Sequence, residues 1–376
     1  MTYKSIIFIT LLITLISCKS QMITEEVKPK AKNVILLIAD GTGLSQVSSA
    51  FYFKKTRPNY ARFNSIGLIK TSSSRELITD SAAGATAFSS GEKTYNGAVG
   101  VATDSTKLKT LVEIVSPQHV KTGVISTSSI QHATPASFYA HALHRSQYED
   151  ITLDLVASDI DFFAGGGRKF FNTRKDGRNL LKELKEKGFE VDTTALGGIN
   201  EVKKYSKMAY ILAENHLDAV AKSRGDFLPK ATELGIEFLN KDVDKSGFFI
   251  MIEGSQVDWG GHSNDADYLI SELIDFDDAV GKALDFAEKD GNTLVIVTAD
   301  HETGGFTLAS TPKKKEDGTI YSDYNEITGT FSTNGHSATL IPVFAFGPGS
   351  EAFSGIYENT EIFHKIFEVT NWKNKN

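Results

Sequence analysis

Residues 34–43 read Val-Ile-Leu-Leu-Ile-Ala-Asp-Gly-Thr-Gly, and this stretch decides the fold class. An apolar run with β-branched residues that closes on a glycine turn is typical of a strand buried on both faces of a parallel sheet. Similar runs occur at residues 122–125, 248–252 and 294–298, and residues 265–287 carry apolar side chains at near-helical spacing. The alternation predicts an α/β fold with a doubly wound, mostly parallel central sheet and helices on both faces.

The composition is that of a soluble globular protein with a large core, since 40% of the 376 residues are hydrophobic and 23% are charged. The formal net charge of -7 argues against nucleic acid as a partner, because a phosphate backbone requires a basic surface. A small anionic substrate is not excluded, since it needs only a local positive site. Cys18 is the only cysteine, so neither an intramolecular disulfide nor a thiolate metal cluster can form.

The N-terminal segment has the features of an export signal. Lys4 precedes an apolar run over residues 6–16, and the run closes on Leu15-Ile16-Ser17-Cys18, which resembles a bacterial lipoprotein box. We expect residues 1–18 to be a lipoprotein-type signal peptide. We also expect a lipid anchor at Cys18 to hold the exported protein on the periplasmic or cell-surface side of a membrane. The alternative is an ordinary signal peptide cleaved nearby, with Cys18 incidental.

The remainder of the chain is predicted to be one domain behind a linker. Residues 19–32 are polar and typical of a flexible tether, so we expect the single domain to span residues 33–376. A second amphipathic helix is predicted over residues 180–187, ending at Gly188. The polar, turn-rich stretch at about 306–332 is interpreted as a surface insertion rather than a domain boundary.

Acidic residues directly follow three of the predicted strands. Asp40 follows the first run, Glu253 follows residues 248–252, and the pair Asp300 and His301 follows residues 294–298. In open α/β sheets, ligands bind at the carboxyl ends of the strands. Each acid alone could be a helix cap or a turn residue. Several carboxylates at one edge repel each other unless a cation neutralises them, so the three together favour a metal site.

A second group of candidate ligands contains no cysteine. Asp258 and His262 stand four residues apart, and either a helix or a tight turn at Gly260 and Gly261 would let both bind one metal. His336 is the remaining candidate. Histidine nitrogen combined with aspartate oxygen is typical of catalytic rather than structural zinc.

Ser81 and Arg145 are the candidates for phosphoryl chemistry. Ser81 begins a predicted helix of very small residues, and a helix N-terminus offers free N–H groups and a partial positive charge to an anionic oxygen. Ser81 could also be a simple helix cap. A serine hydroxyl needs an activator, and a coordinated zinc can supply one. The guanidinium of Arg145 matches two phosphate oxygens.

Taken in order, these segments resemble the alkaline phosphatase family from about Asn33 to Gly349. The string Asp80-Ser81-Ala82 is similar to the nucleophile motif of that family, and residues 253–262 are similar to its central metal segment. Residues 299–303 and 334–336 complete the set. The resemblance implies that Ser81 becomes phosphorylated and that Arg145 binds the phosphate.

The resemblance also implies three metal sites. One zinc would be held by Asp258, His262 and His336. A second zinc, close to Ser81, would be held by Asp40, Asp300 and His301. Asp40 would also bridge to a third site, usually occupied by magnesium, together with Thr134 and Glu253.

Two residues near the third site depart from the best-known bacterial pattern. His132 stands where that pattern has an aspartate, and Trp259 stands where it has a lysine. Imidazole near the third site favours zinc or another transition metal over magnesium.

The predicted function is the hydrolysis of phosphate monoesters to an alcohol and inorganic phosphate, through a phosphoserine intermediate at a two-zinc site. One alternative is a phosphodiesterase or sulfatase of the same superfamily, although no Cys-x-Pro-x-Arg sulfatase signature is present. The other is a non-catalytic lipoprotein that binds phosphate or metal. The expected partners are small phosphate monoesters, and the family resemblance is consistent with a homodimer.

Overall fold

The computed structural model describes residues 29–241 and 246–374. Its strands are β1 (Asn33–Ala39), β2 (Ser65–Lys70), β3 (Lys121–Ser129), β4 (Phe162–Gly166), β5 (Phe189–Asp192), β6 (Lys207–Ile211), β7 (Phe248–Gly254), β8 (Thr293–Thr298), β9 (Glu302–Thr303), β10 (Thr307–Lys314), β11 (Ile320–Thr330), β12 (His336–Ser337), β13 (Ile341–Phe346) and β14 (Gly355–Glu358). Its α-helices are α1 (Leu44–Phe53), α2 (Ser81–Ser90), α3 (Leu111–Val115), α4 (Ala133–Ala136), α5 (Tyr148–Ala157), α6 (Lys169–Asn172), α7 (Leu180–Glu186), α8 (Ile199–Val202), α9 (Phe227–Asn240), α10 (Gln256–His262), α11 (Ala266–Asp290) and α12 (Glu361–Val369).

The central sheet has ten strands in the order β14-β2-β13-β8-β1-β7-β3-β4-β6-β5. β1 lies in the middle and pairs in parallel with β7 on one side and β8 on the other. β13 is antiparallel to both of its neighbours, β8 and β2, and the other pairs are parallel. The predicted mostly parallel sheet is therefore confirmed.

Helices cover both faces of the sheet, as predicted. Side chains of β1 alternate between two apolar clusters: Val34, Leu36 and Ile38 belong to one, and Ile35 and Leu37 belong to the other. Apolar residues of α2, α3, α5, α7 and α12 complete the first cluster, and those of α1, α9 and α11 complete the second. Burial on both faces explains why the strand reads as a continuous apolar run.

The two helices predicted from apolar spacing are present. The long helix α11 begins after Asp265, whose side chain accepts a hydrogen bond from the Tyr268 N–H at 3.0 Å, and it ends before Gly291 at a φ of 72°. The helix expected over residues 180–187 is α7, and Gly188 follows it at a φ of 85°. Positive φ at both helix ends suits glycine, which has no Cβ to clash.

The segment interpreted as a surface insertion forms an antiparallel ribbon of β10 and β11. Its side chains are mostly exposed or half-buried. At its base, the rings of Phe306 and Phe331 pack with centroids 5.2 Å apart. The strands were not predicted, because an exposed polar ribbon gives no apolar run.

The predicted signal peptide and Cys18 lie outside the described residues, as does most of the predicted tether. At the described end of that tether, Ala31 is buried and donates its N–H to the Val369 carbonyl at 2.8 Å. Ala31, which falls within the predicted tether, therefore packs against the domain. Within residues 29–241 and 246–374, no helix is both long and apolar enough to cross a membrane.

Candidate active site

The carboxyl ends of three adjacent strands bring the predicted acids together. Because β7 and β8 flank β1 in parallel, the carboxyl ends of the three strands lie at one edge of the sheet. This edge carries Glu253 in β7, Asp40 after β1 and Asp300 after β8. All three carboxylates are completely buried, as is His301. The prediction that strand ends converge on one edge is confirmed.

Three groups of side chains place ligand atoms within 4.8 Å of one another in the described part of the chain. The groups are Asp258 with His301 and His336, Asp40 with Asp300 and His301, and Asp40 with His132 and Glu253. The second group has the composition expected for the zinc beside Ser81. In the first group, His301 stands where the resemblance implied His262. His132 joins the third group, beside which it was expected.

Several oxygens in this cluster are buried without a hydrogen-bond partner. Both carboxylate oxygens of Asp40, Oδ2 of Asp300 and Oε1 of Glu253 are in this state, as are Oγ1 of Thr134 and Nδ1 of His132. Buried polar atoms are normally paired, and an isolated buried carboxylate is strongly unfavourable. Divalent cations would satisfy these atoms, so the donor set fits metal ions.

Burial and mutual repulsion perturb the acids of this cluster. Burial, followed by the negative charges of Asp300, Asp258 and Glu253, raises the pKa of Asp40 well above its usual range. Burial also raises the pKa values of Glu253 and Asp300. Protons therefore compete with cations for these oxygens, and a bound cation would remove the repulsion.

Asp258 and His262 lie on α10, which settles the choice between a helix and a turn. Nε2 of His262 lies 3.3 Å from Oδ1 of Asp258 and 3.2 Å from Nε2 of His336. The other ring nitrogens face backbone carbonyls, with Nδ1 of His262 2.7 Å from the Asn334 oxygen and Nδ1 of His336 2.9 Å from the Thr79 oxygen. Such contacts place the proton on Nδ1 and leave Nε2 free for a metal.

Ser81 is the first residue of α2 and points into the cluster. Its Oγ lies 3.3 Å from Nε2 of His301, and the side chain is buried. The preceding residue, Asp80, caps the helix by accepting the Ala83 N–H at 3.0 Å. A Cβ at Gly84 would lie 2.9 Å from Cβ of Asp300. The small residues of this helix therefore allow the nucleophile candidate to approach the metal-ligand candidates closely.

Arg145 connects the helix cap to the third group. Its Nη1 donates to Oδ2 of Asp80 at 2.9 Å, and its Nη2 lies 3.3 Å from Nε2 of His132. Burial, the largest single influence, acts to lower the pKa of Arg145, but the charge and hydrogen bond of Asp80 together with the charge of Asp40 outweigh it, and the pKa is raised. The guanidinium thus lies in its charged form beside Asp80, the residue that precedes Ser81. The ion pair with Asp80 was not predicted, because a helix cap and a distant loop arginine give no common sequence signal.

Trp259 and His132 meet at the edge of the third group. Their ring centroids lie 6.1 Å apart, and both rings pack edge-on against His216, at 4.9 Å for Trp259 and 5.7 Å for His132. The Nδ1 of His216 accepts the Ser129 N–H at 2.9 Å. Sequence reasoning missed His216, which lies in a loop without a motif.

The fold and the buried acid–histidine clusters beside a serine at the start of a helix define a metal-dependent hydrolase. The chain belongs to the alkaline phosphatase family: the family model "Alkaline phosphatase" matches residues 31–319. Its members are phosphoric monoester hydrolases, so the predicted family, fold and reaction class are confirmed. The chain is 34% identical to alkaline phosphatase 3 of Bacillus subtilis (strain 168), and the alignment covers 92% of this chain and 90% of the relative. It is 29% identical to alkaline phosphatase of Escherichia coli (strain K12), covering 89% and 85%.

Solved structures give a consistent result. The alkaline phosphatase from the Antarctic bacterium TAB5 superposes with a TM-score of 0.89 at 61% identity, covering 92% of this chain and 100% of that chain. A histidine-to-aspartate mutant of the TAB5 enzyme, with Mg bound in its M3 site, superposes with a TM-score of 0.90 at 62% identity and the same coverage.

Proposed function

We propose that this alkaline phosphatase cleaves phosphate monoesters with Ser81 as the nucleophile, at a centre that binds two zinc ions and a third divalent cation. The observation that carries the proposal is the position of Ser81 Oγ, 3.3 Å from His301 Nε2, at the edge of a cluster whose buried carboxylate oxygens lack partners.

The ligand assignment follows the grouping of the side chains. Asp258, His262 and His336 would hold one zinc, and Asp40, Asp300 and His301 would hold the other. Asp40, Thr134 and Glu253, with His132 beside them, would hold the third cation. When bound, the ions act as Lewis acids that stabilise the serine alkoxide, the leaving oxygen and the charge of the phosphoryl group.

Two displacements then account for the reaction. Ser81 Oγ attacks phosphorus and loses its hydroxyl proton while the bond from phosphorus to the ester oxygen breaks, and the leaving oxygen gains a proton to give the alcohol. Ser81 now carries the phosphoryl group. A water molecule attacks phosphorus from the opposite side and gives up a proton while the bond to Oγ breaks. Oγ regains a proton, which restores the Ser81 hydroxyl, and inorganic phosphate leaves.

Arg145 and the start of α2 bind the phosphoryl oxygens in this proposal. The charged guanidinium can donate two parallel hydrogen bonds, and the backbone N–H groups at the helix start carry a partial positive charge. These groups neutralise the equatorial oxygens, where charge accumulates in a loose transition state. Recognition is therefore confined to the phosphoryl group, which favours broad monoester specificity.

We propose that His132 lies at the third site and that its imidazole makes this site prefer a metal other than magnesium. Its Nδ1 is buried without a partner in the group with Asp40 and Glu253. The TAB5 mutants in which a histidine is replaced by aspartate or glutamate have Mg bound in the M3 site. We infer that His132 corresponds to that histidine.

A phosphodiesterase or a non-catalytic binding protein would need a different site. A diester lacks the third non-bridging oxygen and the second negative charge that Arg145 and the third cation would neutralise. A protein that only binds phosphate has no use for a buried serine 3.3 Å from a candidate ligand of a metal.

For location and assembly, we propose the lipoprotein route predicted from Cys18, with residues 33–376 as one catalytic domain that forms a homodimer. Fatty-acid labelling that is lost in Cys18→Ala would support the anchor. Light scattering of protein lacking residues 1–20 would measure the oligomeric state.

The experiment uses metal-stripped protein lacking residues 1–20, reloaded with zinc, magnesium or both. We expect zinc to restore release of p-nitrophenol from its phosphate monoester, with much slower cleavage of a phosphate diester and a sulfate ester. Faster cleavage of the diester would favour the phosphodiesterase. Tight phosphate binding without turnover would favour the binding protein.

A further inference from the structure

Thr303 lies between the two groups of zinc-ligand candidates. Its Oγ1 donates a hydrogen bond to Oδ1 of Asp258 at 2.5 Å and lies 3.2 Å from Nδ1 of His301. The side chain is completely buried. Asp258 and His301 belong to different zinc sites in the proposed assignment, so one hydroxyl contacts a ligand candidate of each.

The backbone of Thr303 is tied to the same segments. Its N–H donates to the Gly41 carbonyl at 3.0 Å, directly after Asp40. In the short ribbon of β9 and β12, Thr303 pairs with His336. Four ligand candidates from four segments are therefore adjacent to a residue that is not itself a ligand.

Two glycines leave space for this threonine. A Cβ at Gly41 would lie 2.8 Å from Oγ1 of Thr303, and a Cβ at Gly261 would lie 2.9 Å from its Cγ2. Both branches of the side chain are thus closely surrounded. Tight packing on both sides fixes the rotamer and the direction of the hydroxyl.

Hydrogen-bond chemistry determines which atom donates and which accepts in each contact of Thr303. A carboxylate only accepts, so the single hydroxyl hydrogen of Thr303 is directed to Asp258. Oγ1 can then only accept from Nδ1 of His301, which must carry the ring hydrogen. Nε2 of His301 is left with its lone pair, and it faces Oδ1 of Asp40 at 3.5 Å and Oδ2 of Asp300 at 3.4 Å.

We propose that Thr303 is a positioning residue that sets the tautomer of His301 and the orientation of Asp258 at once, and thereby couples the two zinc sites. This inference rests on the proposed metal centre. His262 and His336 differ in this respect, because their Nδ1 atoms face backbone carbonyls that no side-chain substitution removes. The tautomer of His301 depends on one hydroxyl.

The test compares Thr303→Val, which keeps the branched shape and removes the hydroxyl, with Thr303→Ser, which keeps the hydroxyl. Thr232→Val is the matched control, because the Thr232 hydroxyl is buried in α9 without a partner. The first readout is the amount of zinc that each protein retains against a graded series of chelator concentrations. The second is the thermal midpoint of each metal-free protein.

We expect Thr303→Val to lose both zinc ions at roughly 10- to 100-fold lower chelator activity than the wild type, the range typical for residues that orient metal ligands. Thr303→Ser should retain zinc nearly as the wild type does, and Thr232→Val should be unchanged. If Thr303→Val fails to fold, Thr303→Ala removes the same hydroxyl with less crowding.

If folded Thr303→Val or Thr303→Ala protein retains zinc as well as the wild type does, the proposed role of Thr303 is overturned. The proposed function would then remain intact. Loss of only one zinc would overturn the coupling. A wild-type protein that binds no zinc would overturn the proposed function together with the role of Thr303.

Discussion

The hydroxyl oxygen of Ser81 lies 3.3 Å from Nε2 of His301, and both side chains are buried at the carboxyl edge of the central sheet. Ser81 starts a helix on one face of the sheet, whereas His301 follows the central strand β8. Their proximity brings a nucleophile candidate and a metal-ligand candidate into one site.

Replacing Arg145 with alanine should weaken phosphate recognition. A hydrogen bond to a charged group is worth roughly 1.5–3 kcal/mol, so we expect kcat/KM for a monoester to fall about 10- to 100-fold. Arg145→Lys should recover only part of the loss, because an ammonium lacks the planar fork. Steady-state kinetics of zinc-reconstituted protein measure both. Arg178→Ala, which removes a surface arginine paired with Glu183, is the control. Equal kcat/KM for Arg145→Ala and the control would exclude the role of Arg145.

His132→Asp should change the metal preference of the third site. A carboxylate favours magnesium, whereas imidazole favours zinc, so the variant should bind more magnesium and be activated more strongly by it. Elemental analysis after dialysis against both metals measures the content. The exposed His119→Asp serves as the control. Identical magnesium content in wild type and His132→Asp would contradict the assignment.

Gly84→Ala should disturb the site more than the fold. The new methyl would lie 2.9 Å from Cβ of Asp300, and overpacking of this kind costs about 1–3 kcal/mol, partly offset by the better helix propensity of alanine. We expect roughly tenfold lower kcat/KM and weaker zinc retention with a small change in thermal midpoint. Gly198→Ala has open space around the new methyl and should behave as the wild type. Full activity of Gly84→Ala would contradict this prediction, because it would mean that α2 can shift to accommodate the methyl group at no cost in free energy.

The raised pKa of Asp275 predicts that the stability of the protein depends on pH. Burial raises its pKa to about 6, although its partner Arg224 acts to lower it. Because the folded state holds this proton more tightly than the unfolded chain, its contribution to the free energy of unfolding is present at low pH and is lost as the pH rises through about 6. Asp275→Asn abolishes this dependence. Relative to the wild type, the variant should gain about 2 kcal/mol between pH ~4 and ~7, since one pKa unit corresponds to about 1.4 kcal/mol.

Urea unfolding of the two metal-free proteins across this pH range tests the prediction. A constant difference in the free energy of unfolding between Asp275→Asn and the wild type would show that the pKa of Asp275 is not raised.

The sequence was sufficient to predict the central strands and the residues that follow them. β1, β7 and β8 are buried on both faces, so each leaves a continuous apolar run, and an acid directly after such a run must lie at the carboxyl edge of a parallel sheet. Short-range spacing likewise predicted α11 and its boundaries within a few residues.

Contacts between distant segments could not be predicted in this way. The ion pair of Arg145 with Asp80, the packing of His216 against Trp259 and the hydrogen bonds of Thr303 each join segments far apart in the chain. They depend on how loops pack above the sheet, which leaves no periodic pattern in the sequence.

The central claim is that Ser81 accepts the phosphoryl group. Zinc-reconstituted protein lacking residues 1–20 would be mixed with a radiolabelled phosphate monoester, quenched with acid within a turnover and digested for peptide mapping. We predict label on the peptide that contains Ser81, and neither label nor monoester turnover in Ser81→Ala. Label on another residue, or turnover by Ser81→Ala at the wild-type rate, would contradict the account.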